Sequence, residues 1–242
     1  MTALTGTVAL VTGASRGIGR AIALALGREG ARVCLVARRP AALADVAAES
    51  AFAAGAPVVH AADLTQDEAI DRLGATLEST LGRLDVLAHC AGAIARGPQA
   101  TTTAADLDAQ YRLNVRAPFL LTQRLLPLLR QAGGQVVFMN SSRGLASAAG
   151  LGAYAASKHA LKALADALRD EVNADGVRVL SVYPGRTATP RQAELFAAEG
   201  RPYDPKRLLQ PEDVASIVLS ALTLPRTAEV TDIRIRPALK SY

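Results

Sequence analysis

Two side chains able to take part in proton transfer stand four residues apart in YAASK, residues 154 to 158. On a helix this spacing stacks Tyr154 and Lys158 on one face, with Cβ atoms roughly 5–6 Å apart. A free phenol titrates near pH ~10, too high for an effective proton shuttle near neutrality. An ammonium within about 4–6 Å favours the phenolate, so the pair has the composition of a tuned acid–base group. The same spacing also describes an ordinary exposed contact between helical neighbours, and the pair alone does not choose between the two.

A second stretch, TGASRGIG (12–19), places Gly13, Gly17 and Gly19 after a strand-like run and at the start of a helical pattern. Glycines there permit a tight turn and bring a phosphate close to backbone N–H groups at a helix N-terminus. A bare glycine-rich turn needs no ligand; the position between first strand and first helix argues for dinucleotide binding.

The elements that must hold these groups alternate along the chain. Short Val-rich runs at 7–12, 32–37, 57–61, 85–90, 135–140, 178–183 and 229–235 read as strands. Most are almost continuously apolar, as in a parallel sheet covered on both faces. Helical patterns occupy 17–29, 40–54, 66–80, 103–130, 152–174 and 211–223. Pro118 and Pro127 interrupt the fourth, which predicts a break or kink near 117. Pro211, Glu212 and Asp213 make a good helix start. Such alternation specifies an α/β fold, one doubly wound Rossmann-like parallel sheet of about seven strands over residues 1–242. The proline-bearing stretch 186–210 reads as a variable substrate loop or lid without a strand. Ligands of such sheets bind beyond the carboxyl ends of the strands.

Bulk composition agrees. The 242 residues are 50% hydrophobic, enough for a sizeable core, yet only 4% aromatic with no Trp, so Ala, Val and Leu must build it. The net charge of +5 comes from scattered Lys and Arg rather than a tract, which argues against a nucleic-acid partner and for a polyanionic small molecule. Cys34 and Cys90 show no metal-ligand spacing and read as reduced thiols. MTALTGTVAL lacks the features of a signal peptide, and no stretch reaches the roughly 18 apolar residues of a membrane span. The expectation is a cytoplasmic protein with no membrane partner and no bound metal.

Taken in order, these motifs resemble the short-chain dehydrogenase/reductase family over essentially the whole chain. The matching pieces are Thr12–Gly19, Asp63-Leu64, Ala91-Gly92, Asn114, Ser141, Tyr154-x-x-x-Lys158, and Pro184-Gly185 with Thr189. The resemblance implies an oxidoreductase moving a hydride between NADP(H) and a small carbonyl or alcohol substrate, with Tyr154 as proton donor or acceptor. It implies that Ser141, in Ser-x-x-Gly thirteen residues before the tyrosine, orients the carbonyl; Ser142 fits neither spacing. Lys158 would also hold the nicotinamide ribose, and Asn114 would sit in a distorted helix whose bound water links Lys158 to solvent.

For the cofactor, the resemblance assigns Gly13, Ser15, Arg16, Gly17, Ile18 and Gly19 to the phosphates. Asp63 would hold the adenine amino group, and Leu64, Ala91 and Gly92 would also bind the cofactor. Pro184 and Gly185 would also border the cofactor, and the Thr187 backbone and Thr189 hydroxyl would hold the nicotinamide carboxamide. Ala37 stands where NAD-preferring relatives carry Asp and Arg38 follows it, so Arg38 and Arg16 point to a 2′-phosphate.

Two departures stand out. His89-Cys90-Ala91-Gly92 replaces the common Asn-Asn-Ala-Gly, which puts local order in doubt. Arg143 and Arg186 occupy positions usually small or apolar, so either is a candidate to pair with an acidic substrate group, the alternative being solvent or cofactor phosphates. The resemblance also implies a homodimer or homotetramer joined through 103–130 and 152–174. The rival reading of the same fold is a non-catalytic NADP-binding regulator. An epimerase or dehydratase shares the Tyr–Lys spacing but usually carries a larger C-terminal substrate region.

Overall fold

The structure, a computed structural model, describes residues 3–49 and 51–239. Met1 and Thr2 of the N-terminal stretch MTALTGTVAL, Ser50 of the predicted 40–54 helix, and residues 240–242 of the predicted domain lie outside the described residues.

The first half of the chain runs β1 (Val8–Thr12), α1 (Gly17–Arg28), β2 (Arg32–Ala37), α2 (Pro40–Ala47), β3 (Val58–Ala61), α3 (Asp67–Thr80) and β4 (Val86–His89). Next come α4 (Ala104–Tyr111), a π-helical turn (Arg112–Arg116) and α5 (Ala117–Ala132). The rest is β5 (Gln135–Met139), α6 (Gly152–Val172), β6 (Arg178–Pro184), α7 (Pro190–Ala198), α8 (Pro211–Leu222) and β7 (Asp232–Ile235).

The strands form one sheet in the order β3-β2-β1-β4-β5-β6-β7, every pairing parallel. Burial explains the sequence pattern. The central strands β1, β4 and β5 are buried at every position, whereas edge strands β3 and β7 alternate with more exposed residues. Successive strand residues face opposite sides. Ala9, Val11, Val33, Leu35 and Val137 therefore join α1, α2 and α8 in one core, and Leu10, Val36, Leu87, Val136 and Phe138 join α3, α5 and α6 in the other. With so few aromatics, each core depends on its leucines. Truncating fully buried Leu121 to alanine is expected to cost about 2–5 kcal/mol.

The strand order reverses between β1 and β4, so consecutive crossovers leave on opposite sides and open a crevice at the carboxyl ends of these two strands. Both the glycine loop and Ala91-Gly92 begin there.

Three expectations need correction. The helix predicted over 40–54 ends at Ala47, after which the chain turns and Phe52 packs where any side chain on Gly27 would collide with it. Pro127 does not interrupt its helix: α5 runs through it to Ala132. Pro118 follows directly on the π-helical turn that joins α4 to α5 in one continuous helical run, so the expected break is a local widening of the helix there rather than an interruption. The stretch 186–210 also holds a regular element, α7, whose first turn is capped by the Thr189 side chain accepting from Gln192 N.

Candidate active site

The crevice widens into a cleft of about 740 Å³. Every sequence-predicted site residue except Asn114 lines it, and Asn114 lies buried just behind.

At one end is the glycine loop. Gly13 has φ +66, and a Cβ there would stand 2.8 Å from Ala91 N; a Cβ on Gly19 would stand 2.4 Å from Gly13 O. Both sites exclude a side chain, by conformation at the first and by close packing at both. α1 opens with no side-chain cap and no acid in its first turn. Its leading N–H groups thus keep their positive field for a ligand. α4 shows the opposite arrangement, with a capping box between Thr103 and Asp106. Arg16 and Arg38 line the cleft and pair with no carboxylate among the described residues. Asp63 accepts from Thr65 N and Oγ1 at 3.0 and 2.8 Å, a local turn that fixes its carboxylate at the rim.

The unusual His-Cys pair does not loosen the next loop. Thr12 Oγ1 accepts from both Cys90 N and Ala91 N at 3.1 Å, tying the β4 loop to β1. His89 is buried, meets Thr122 Oγ1 at 2.8 Å and stacks on Phe138. Burial drives its pKa down to about 3, so it packs as a neutral ring. Burial also pushes the Cys90 thiol up to about 12, which leaves it unreactive. Among the described residues no three His, Cys, Asp or Glu side chains gather as metal ligands.

At the other end, α6 presents Tyr154 and Lys158 together. Ser141 accepts from Arg143 N at 3.1 Å and donates its own N–H to Asn140 Oδ1 at 2.8 Å. The serine thus caps a short turn while lining the same cleft as Tyr154, whereas Ser142 is exposed. Loss of hydration raises the Tyr154 pKa above its ordinary value, opposed by the Ser141 hydrogen bond and by the charges of Arg191 and Arg143. The expected lowering by Lys158 is not what the geometry produces. Lys158 Nζ donates instead to Met139 O at 2.9 Å, and burial, with Arg191 adding repulsion, brings its pKa down to about 8.

Asn114 sits on the π-helical turn. Its Oδ1 accepts from Ala93 N at 2.7 Å while Nδ2 donates to Ala93 O and to Ser157 Oγ. A Cβ on Gly92 would lie 3.2 Å from Asn114 Oδ1 and 3.9 Å from Lys158 Nζ, so the glycine keeps a small gap between the two polar groups. Thr187 is buried and bridges to Leu209, and the Thr189 hydroxyl is engaged as the α7 cap.

Two contributors escaped sequence reasoning. Asn140 is buried just after β5 and donates to Lys158 O at 3.1 Å while accepting from Ser141 N, so one side chain ties the turn after β5 to α6. The signal was a polar residue ending an otherwise apolar strand. The second is Arg191 in the first turn of α7, hidden because the helix itself was missed. Of the two flagged arginines, Arg186 is engaged by Glu199 at 3.0 and 3.1 Å, and Arg143 donates to Ser147 O at 3.3 Å.

Known proteins resemble the chain along its length. The family model described as short chain dehydrogenase matches residues 7–200. An uncharacterized oxidoreductase of Staphylococcus aureus is 33% identical over 238 residues, covering 98% of this chain and 100% of its own. A glycine betaine reductase of Emericella nidulans is 37% identical over 97% of this chain, which spans only 19% of that larger protein. Among solved structures, a metagenomic short-chain oxidoreductase in complex with NADP is 34% identical with a TM-score of 0.84, covering 99% of this chain and 100% of its own. An alcohol dehydrogenase from the archaeon Thermococcus sibiricus, complexed with 5-hydroxy-NADP, is 26% identical with a TM-score of 0.87, covering 98% of each chain.

Proposed function

The chain belongs to the short chain dehydrogenase family of oxidoreductases, and from that premise we propose an NADP(H)-dependent enzyme interconverting a small carbonyl compound and its alcohol, with Tyr154 moving the proton. The carrying observation is that Ser141, Tyr154 and buried Lys158 line one cleft that begins at an uncapped helix and glycine loop.

The residues present fit the dinucleotide. Gly13 and Gly19 let the loop fold tightly against its own backbone and Ala91, where a Cβ would collide, and α1 has left its first N–H groups without a side-chain acceptor. At the end of β2, Ala37 offers no carboxylate to repel a 2′-phosphate, and Arg38 and Arg16 are free to hold one. Several solved relatives carry NADP or NADPH, in keeping with this preference. When bound, the cofactor supplies or accepts the hydride.

The chain's own residues do the rest. Ser141 positions the substrate oxygen against the Tyr154 hydroxyl. In reduction Tyr154 donates its proton to that oxygen as negative charge develops there; in oxidation it takes the proton back. The raised pKa keeps the phenol protonated, and therefore ready to donate, through neutral pH. Lys158 holds positive charge next to this site, and the gap at Gly92 suits a water passing protons between Lys158 and Asn114. The Thr187 backbone and the Thr189 hydroxyl, which also accepts from Gln192 N, would hold the nicotinamide carboxamide. Apolar Leu107, Tyr111 and Phe119 stay exposed on α4 and α5, which supports the proposed self-association through this surface; light scattering tests it.

The deciding assay follows loss of reduced-nicotinamide absorbance against ketones, aldehydes and quinones, with NADH and Tyr154→Phe as controls. Turnover that requires NADPH and vanishes in the variant is expected. Tight NADPH binding without turnover of any carbonyl, or of alcohols with NADP, would favour the non-catalytic regulator instead.

A further inference from the structure

The substrate end of the cleft holds more positive charge than its internal pairings consume. Four arginines line it near Tyr154: Arg96, Arg143, Arg186 and Arg191. Two of these are already committed. Arg96 and Arg186 converge on Glu199 at the end of α7, and Arg201 joins the same carboxylate at 3.1 Å. The Phe196 ring lies beneath Arg186 and Arg201, 4.7 and 5.1 Å from their guanidinium carbons. This cluster straps the loop after β4 to α7 and completes itself without a ligand.

Arg143 and Arg191 behave differently. Neither forms an ion pair with a carboxylate among the described residues: the Arg143 side chain donates to Ser147 O, and the Arg191 side chain makes no hydrogen bond there, with Glu194 on the same helix adding only a favourable charge nearby. Both are half-buried and line the cleft. They come from two separate elements bordering Tyr154, the turn after β5 and the first turn of α7, and both charges are felt at its phenol. Withdrawing guanidinium groups from water without an ion-paired carboxylate is costly, so a cleft that does so is suited to an anion. The planar guanidinium matches a carboxylate in two parallel hydrogen bonds.

We propose that Arg143 and Arg191 form a carboxylate clamp, and that the substrate carries a carboxylate on the same small molecule as its carbonyl or hydroxyl group. This rests on the reductase reading above and narrows it to keto acids and hydroxy acids. The clamp positions the molecule; Tyr154 still delivers the proton to the carbonyl oxygen, and the carboxylate stays ionised throughout. Arg186, flagged from the sequence for the same role, is spoken for by Glu199. The rival occupant of Arg191 is a cofactor phosphate, since Arg16 and Arg38 also lie within its electrostatic reach.

The test is calorimetric titration of the NADP-saturated protein with pyruvate, acetoacetate and levulinate, each against its methyl ester, with turnover measured in parallel. At least one acid is expected to bind about tenfold or more tightly than its ester, the loss of one charge-assisted pair being worth at least that factor. Arg143→Leu and Arg191→Leu should each shrink the preference to about threefold or less, with the Lys variants retaining part of it as point charges. Arg201→Leu, outside the cleft lining, should leave the preference intact. Acids binding no better than esters, or a preference that survives both Leu variants, overturns the clamp. So does an Arg191→Leu protein that loses NADPH affinity while keeping the acid preference, which assigns that guanidinium to the cofactor. Equal turnover of acids and esters sinks the clamp and leaves the reductase standing. Acid-selective binding that fades in the Leu variants, with no Tyr154-dependent turnover, supports the clamp and sinks the reductase.

Discussion

The two ends of the cleft are built by different means. The end at β1, α1 and β2 is made of backbone and of neighbours close in sequence: Gly13 to Gly19 form the loop, and Arg38 follows directly from β2. The end at β5, α6 and α7 is made of side chains fetched from afar. Asn114 reaches Ser157 across 43 positions, Lys158 reaches the Met139 carbonyl across 19, and Asn140 reaches Lys158 across 18. Binding a phosphate needs only N–H groups and charge at a helix end, which a short segment supplies. Holding a phenol ready to release a proton needs groups placed by several elements at once.

Substitutions can separate these two designs. The largest effect is expected at the chemical end. Tyr154→Phe should lower kcat by roughly 10³-fold, the scale of a positioned proton donor, while leaving the Kd for NADPH within about threefold. Fluorescence titration with NADPH and steady-state rates together check this, and a matching loss of affinity would merge the two ends into one unit.

The glycine loop should show the reverse. Gly19→Ala drives a Cβ into Gly13 O, 2.4 Å away, and the loop must shift. NADPH affinity should fall by about 10²-fold, since each ~1.4 kcal/mol of strain or lost contact is tenfold, with kcat at saturating cofactor much less affected.

Arg38→Ala probes charge instead of shape at the same end. The NADPH over NADH preference in kcat/KM is expected to drop by about 10- to 100-fold as a charge-assisted contact is lost. An unchanged ratio would mean that Arg16 alone reads the 2′-phosphate.

Asn140→Ala tests whether one positioning side chain holds the chemical end together. Losing its buried bonds to Ser141 N and Lys158 O should cost about 1–3 kcal/mol of stability and lower kcat roughly tenfold, with NADPH affinity retained. Thermal melts and kinetics with Asn140→Asp, which keeps the acceptor but not the donor, distinguish the two bonds.

The smallest effect is the pH dependence of kcat/KM for NADPH, which reports groups of the free enzyme. Lys158 has its pKa lowered to about 8, so it is cationic below that value and loses its proton above it. Tyr154, shifted upward, remains a neutral donor across the same range. Reduction should therefore be flat through neutral pH and fall above pH about 8. Lys158→Arg should remove that limb, because guanidinium stays charged to beyond about pH 12.

Much of this was legible before folding. The strand positions and the glycine loop follow from local rules: continuous apolar runs for buried parallel strands, and glycine where the loop needs positive φ or close approach. All seven strands fall within two or three residues of their expected limits. The edges of legibility are equally physical. The 40–54 helix ends early because Phe52 leaves it to pack on Gly27, a contact between segments. α7 was invisible because a short helix rich in Ala and charge carries little periodic signal until Phe196 finds its place beneath two arginines.

Composition and spacing along the chain thus carried the sheet, the tight glycine loop and the placement of Tyr154 and Lys158 on one helix, because each depends on residues within a few turns of one another. Proton affinities and charge partners belonged to the fold alone. Burial, rather than the neighbouring ammonium, governs the Tyr154 phenol, and Glu199 rather than substrate claims Arg186. Both outcomes depend on how much water is left around a group and which opposite charge lies within a few ångströms, quantities that exist only once distant segments have packed.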